Sequence, residues 1–163
     1  MNVLEEDSVV DFAAAAYMED GAWRCAGLPV ANAEKLDVLA ANLRRFTAEG
    51  PAIGLISVDG DFFVLLRVSH SDTRLLLSDV TAAPEYAMAL EALDLLGVDL
   101  DLDSDAVEPA GDLGLFADFG MPAAELATLC DDIDMFPEDV LLSVATRIGF
   151  GPALAELLDG TSG

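Results

Sequence analysis

Apolar residues fill positions 9–18, a polar break follows at Glu19-Asp20-Gly21, and an extended pattern resumes at Ala22-Trp23-Arg24-Cys25. Two apolar runs joined by a turn whose glycine accepts positive φ predict a β-hairpin. The first arm is rich in alanine and would suit a helix by propensity, but the immediate turn and Trp23 favour a strand. Beyond it, Asn32 is placed to cap a helix, and Leu36, Leu39, Leu43 and Phe46 recur at three- and four-residue steps until Gly50-Pro51. This periodicity predicts a helix ending at Glu49. Its other face carries Lys35, Arg44 and Arg45 and reads as a solvated surface.

From Ala52 the period changes to short β-rich runs: residues 53–58, an Asp59-Gly60 turn, residues 62–68, a polar turn around His70-Ser71-Asp72, and residues 75–77. These predict a three-stranded meander that joins the first hairpin in one antiparallel sheet. Residues 84–96 predict a second helix, with Tyr86, Leu90, Leu93 and Leu96 turned to the sheet. The expected fold is α+β, an antiparallel sheet of about five strands packed with two helices in the order ββαβββα over residues 1–97. The two-layer arrangement lets sheet and helices hide each other's apolar face. Residues 98–110 contain VDLDLDSDAVEPA and read as an acidic linker. Residues 111–163 read as a helical C-terminal region, with Pro122, Pro137 and Pro152 at helix starts and Gly149 and Gly160 at helix ends. Its apolar groups, among them Leu126, Val140, Val144 and Leu154, make a small cluster that is expected to lean on the sheet or on a partner.

Charge sharpens this picture. The chain has 163 residues and 31 acidic against 7 basic side chains, a formal charge of -24. Residues 1–90 carry 14 acids and 6 bases, whereas residues 91–163 carry 17 acids and only Arg147. The acidic pole is therefore the second half. Such a field repels phosphate backbones and anionic lipid and steers basic proteins inward, so no direct nucleic acid and no membrane partner is expected. Cys25 and Cys130 lack any metal or redox spacing and read as thiols of a reducing compartment. The N-terminus MNVLEEDSVVDF has no basic region of a secretory signal, and no apolar run reaches spanning length, so the expected location is cytoplasmic.

Candidate chemistry is sparse. His70 is the single histidine, and a turn rich in Ser and Asp makes it an ordinary exposed residue. Asp99, Asp101, Asp103 and Asp105 alternate like the first half of a calcium loop, but Ser104 stands where the bend needs glycine and Ala110 where the bidentate glutamate belongs. Asp131, Asp132 and Asp134 precede Met135-Phe136-Pro137, and Asp134, Glu138 and Asp139 suit the start of a helix. Gly149-Phe150-Gly151-Pro152 is too short for a phosphate loop and lacks lysine. The H-x-E and P-C-x-x-C elements of a zinc nucleobase deaminase are missing. No cofactor and no enzymatic activity are expected.

Four stretches, FAAAAYMEDGAWRC, LDVLAANLRRFTAEGPAIGLISVDGDFFVLLRVSHSDTRLLLSDVTAA, PAGDLGLFADFGMPAAELATLCDD and FPEDVLLSVATRIGFGPALAELL, cover nearly the whole chain. In this order, with the G-D-L-x-L-x-A-D-x-G element, they resemble a family of actinobacterial proteins named tRNA adenosine deaminase-associated. The resemblance implies an accessory protein, with the tRNA adenosine deaminase that makes wobble inosine as candidate partner. It carries no catalytic residues over. The expected partner-binding surface combines Asp99, Asp101, Asp103 and Asp105 with Asp131, Asp132 and Asp134 beside Phe136, a hydrophobic anchor ringed by charge. Phe136 on its own reads more readily as a core residue. The alternative is an acidic mimic of nucleic acid that competes with tRNA for a basic protein surface.

Overall fold

Two Asp-Gly corners organise the sheet. Strand β1 (Val10–Glu19) returns through Asp20-Gly21 to β2 (Ala22–Gly27), and β3 (Ala52–Val58) returns through Asp59-Gly60 to β4 (Phe62–Val68). Asp20 and Asp59 both have φ of 54°, and the glycine after each is also positive, the turn geometry whose twist matches that of the flanking strands. These features belong to a computed structural model that describes residues 10–28, 35–69, 72–98, 109–132 and 135–162.

With β5 (Thr73–Leu77) and β6 (Ala110–Gly111) the sheet has, among the described residues, six strands in the order β2-β1-β3-β4-β5-β6. Every pairing is antiparallel. The sixth strand corrects the expected count of about five. Its two residues were assigned to the linker and to the start of the helical region, and only their pairing with Leu76 and Leu77 makes them strand. The register of β1 shifts between Val10 and Phe12, and at that irregularity the Asp11 carboxylate accepts a 2.7 Å hydrogen bond from the Gly60 N–H. The bulge thus fastens the start of β1 to the β3–β4 turn.

Helices cover both faces. On one side α1 (Leu36–Leu43), its 3₁₀ extension Arg44–Phe46 and α2 (Ala87–Leu96) enclose Ala13, Ala15, Ile56, Val58, Phe62, Val64 and Leu66. On the other, the segment around Leu115 and Phe116 and helices α3 (Ala123–Asp131), α4 (Pro137–Ile148) and α5 (Gly151–Ser162) enclose Ala14, Ala16, Ile53, Leu55, Phe63, Leu65 and Leu76. Residues 1–97 form the expected sheet and helix layers, and the helical C-terminal region, expected to lean on the sheet or on a partner, covers the other face of the sheet. All seven residues of β3 are buried because neither of its faces meets water. Alanines 13 to 16 are buried in β1, where short side chains admit helices on both sides. Each fully buried large side chain, such as Phe62, Phe116 or Phe150, contributes about 1.5–3 kcal/mol by leaving water.

Two further corrections concern the first helical layer. Helix α1 starts at Leu36 after Lys35, with no side-chain cap of its own, and the expected cap Asn32 lies outside the described residues. The Glu91 carboxylate of α2 caps it instead, accepting from the N–H groups of Leu36 at 2.9 Å and Asp37 at 3.3 Å. Helix α2 buries Met88, Ala89, Ala92 and Leu93, while Leu90 points outward and is 47% exposed. Met88, Ala89, Ala92 and Leu93, rather than Leu90, form the face that approaches the sheet.

Candidate functional site

The candidate site is a cleft of about 470 Å³ where the β3–β4 turn meets the α3–α4 corner. One wall is Gly60 to Phe63 with Ser78 and Asp79; the other is the end of α3 and the start of α4, including Leu129, Cys130 and Val140. Ser78 sits where β5 ends, and its hydroxyl accepts a 2.9 Å hydrogen bond from the Phe63 N–H, which fixes the strand side of the cleft. The Asp79 carboxylate accepts from the Thr81 N–H at 2.9 Å and the Thr81 hydroxyl at 2.6 Å, closing a 3₁₀ turn.

Phe136 is the N-cap residue of α4 and is 69% exposed. This corrects the reading of Phe136 as core. Its backbone is extended, with Pro137 at the first helical position, and Val140, Leu141, Val144 and Ala145 carry the buried face of α4. The ring before the proline is consequently left outside the packed layer, on the cleft wall. Asp132 is the C-cap residue of α3, exposed, and lines the same cleft. Asp131 is the last residue of α3 and exposed, but lies off the cleft lining. Asp99, Asp101, Asp103, Asp105 and Asp134 lie outside the described residues, as does His70.

Among the described residues the lining holds the carboxylates of Asp61, Asp79 and Asp132, and no Lys or Arg joins them. Cys130 is the remaining titratable group. Burial, with a smaller contribution from neighbouring Asp131, pushes its thiol up to about 12, so it stays protonated at neutral pH and is a poor nucleophile. Among the described residues no group of three His, Cys, Asp or Glu is disposed to hold a metal ion. The geometry offers an apolar concavity with an acidic rim and an exposed aromatic ring. That combination suits docking by a cationic, partly apolar surface. The strand-side wall was not found from the sequence, because Asp61, Phe63 and Ser78 meet the α3–α4 corner only through the fold.

The acids of the G-D-L-x-L-x-A-D-x-G element have a different role. Asp112 accepts from Arg74 Nε at 2.6 Å and caps the Gly114 N–H at 2.9 Å. Asp118 receives two hydrogen bonds from Arg67, at 2.6 and 2.7 Å. Arg67 also donates to the Leu115 carbonyl at 2.6 Å and lies 4.7 Å from the centre of the Phe119 ring. Phe119 in turn meets Trp23 edge-on at 5.4 Å. These motif residues clamp the connecting segment to the sheet and are structural.

Among the described residues, no helix is long and apolar enough to cross a membrane. No solved structure matches the chain. Protein Rv3753c of Mycobacterium tuberculosis is 38% identical over 157 residues, an alignment covering 94% of this chain and 90% of the relative. Residues 11–151, which include both walls of the cleft and both arginine clamps, match the family described as Rv3753c-like tRNA adenosine deaminase-associated protein, and the chain belongs to that family.

Proposed function

We propose that this chain is a non-enzymatic accessory or regulatory protein that docks on a basic partner through residues 111–163, with the tRNA adenosine deaminase as the candidate. The observation that carries the reading is Phe136, 69% exposed on a cleft whose charged side chains, among the described residues, are Asp61, Asp79 and Asp132. An exposed aromatic anchor beside carboxylates of one sign combines apolar burial with electrostatic steering. The assigned contact residues are Asp131, Asp132 and Phe136, with the acidic run 99–105 adding to the attracting field. The family description, which names association with the deaminase, supports an accessory role. A cytoplasmic setting follows from that partner.

The test is co-purification of the full chain with purified tRNA adenosine deaminase of the same organism over a salt series. Retention at low salt that declines as salt rises is expected. No retention at the lowest salt overturns the proposal. Adding tRNA to the bound complex tests the mimic: displacement of the chain by tRNA places it on the tRNA surface.

A further inference from the structure

A second cleft of about 690 Å³ lies between α3 and α4, lined by Thr128, Leu142, Ser143 and Thr146 among others. Leu129 and Met135 line both this cleft and the one beside Phe136, so the two concavities share a wall at the α3–α4 corner. The charge of the joined surface is one-sided. Asp61, Asp79 and Asp132 belong to the first cleft, and Glu125 and Asp139 to the second. Among the described residues Arg147 is the single cation on either lining, and it is already held by Glu125, with Nε 2.9 Å from Oε2.

We infer that the two clefts form one groove for a basic amphipathic helix of a partner protein, with one apolar anchor beside Phe136 and another between α3 and α4. This rests on the docking role proposed above and specifies the form of the element that docks. Clefts of this size each take a large side chain. A helix laid over paired helices presents apolar residues at three- and four-residue steps, which two adjoining concavities read as successive anchors. Met135 on the shared wall is an unbranched side chain that adapts to the occupant. The acidic rim selects lysine and arginine on the flanks of the helix and repels an acidic one.

The probe is a fluorescein-labelled synthetic peptide of leucine and lysine, with leucine spaced to form one helical face, titrated with the full chain by anisotropy. Two controls accompany it: the same composition scrambled to destroy the apolar face, and a leucine–glutamate counterpart. The amphipathic basic peptide is expected to bind about tenfold more tightly than the scrambled one, while the acidic peptide does not saturate. Phe136→Ala, at an exposed position, and Thr128→Arg, which puts a cation into the second cleft, are each expected to weaken binding about tenfold with unchanged thermal melts. Equal affinity for the scrambled peptide reduces the effect to charge alone and overturns the inference. So does an unchanged affinity in either variant. If the deaminase co-purifies while these results fail, the docking role stands and the groove falls; if the peptide behaves as expected and the deaminase does not bind, the groove stands and the deaminase falls as its partner.

Discussion

Arg67 and Arg74 are direct cross-strand partners in the β4–β5 ladder. Like charges placed opposite each other destabilise a sheet, and here each arginine is answered by a carboxylate from the segment that follows β6. Arg74 takes Asp112 at 2.6 Å and Arg67 takes Asp118 at 2.6 Å. The paired arginines therefore serve as a double clamp that brings residues 112–118 across the second face of the sheet, where Leu115 and Phe116 are fully buried. From there the chain continues into α3 and the cleft.

Removing Asp118 leaves Arg67, whose side chain is only 13% exposed, without its carboxylate. Asp118→Asn is expected to cost about 1–2 kcal/mol in urea unfolding, the lower range for a charged hydrogen bond because Asp118 itself is solvated. Glu125→Gln, at the more exposed Arg147 pair, is expected to cost less than about 1 kcal/mol. A larger loss for Glu125→Gln than for Asp118→Asn contradicts the clamp.

The same pair has a pH signature. The Arg67 hydrogen bonds hold the Asp118 carboxyl below its ordinary range. A depressed folded-state pKa stabilises the fold fully above the unfolded value, about 4, and the contribution fades as pH falls from there through the folded value. The stability difference between wild type and Asp118→Asn, followed by urea titrations, should be constant near neutrality and shrink only below about pH 4. A difference that shrinks as pH rises through neutrality has the wrong sign for this pair.

Helix α1 depends on a residue 55 positions away, Glu91, for its N-terminal cap. Glu91→Ala is expected to destabilise the chain by about 1 kcal/mol and to raise hydrogen exchange at Leu36 and Asp37. Unchanged exchange at those two amides removes the cap.

Gly111 has φ of 115°, and an added Cβ would stand 2.2 Å from the Leu75 carbonyl oxygen. Gly111→Ala should lose more than about 2 kcal/mol, against about 1 kcal/mol for Gly97→Ala, whose φ is also positive but whose surroundings are open. Thermal unfolding of the two variants distinguishes them, and equal losses would show that β6 does not need the close approach.

Burial pushes the Cys25 thiol up to about 11 and the Cys130 thiol up to about 12. Because the thiolate is the reactive form, both should react slowly with a disulfide reagent in the folded chain near neutral pH, and rapidly in urea. Fast labelling of the folded chain at either cysteine contradicts the burial assigned to it.

The strands were legible because local chemistry decides them. Asp20-Gly21 and Asp59-Gly60 supply turn geometry independent of the rest of the fold, and the apolar residues beside them have no competing helical period. The covering of both sheet faces is written into the same segments, since AIGLISV and FFVLLRV show no alternation, and of the two supports open to the C-terminal cluster, sheet or partner, the structure shows the sheet. On α2 the periodicity places Tyr86, Leu93 and Leu96 correctly against the core and errs at Leu90, whose place on the inner face is taken by Ala89 and Ala92. Phe136 was misread for a related reason. Apolar identity favours the core, but its side-chain direction is set by the turn into Pro137 at the start of α4. The cleft itself has no local signature, because its walls come from residues 60–63, 78–79, 129–130, 132, 135–137 and 140.

Docking of a basic partner on the α3–α4 corner is checked by hydrogen–deuterium exchange of the full chain, free and saturated with tRNA adenosine deaminase. Slowed exchange is expected to concentrate in residues 129–140, with β2 and the outer faces of α1 and α2 unchanged. Protection centred on α1 and α2 with none at residues 129–140 would contradict it.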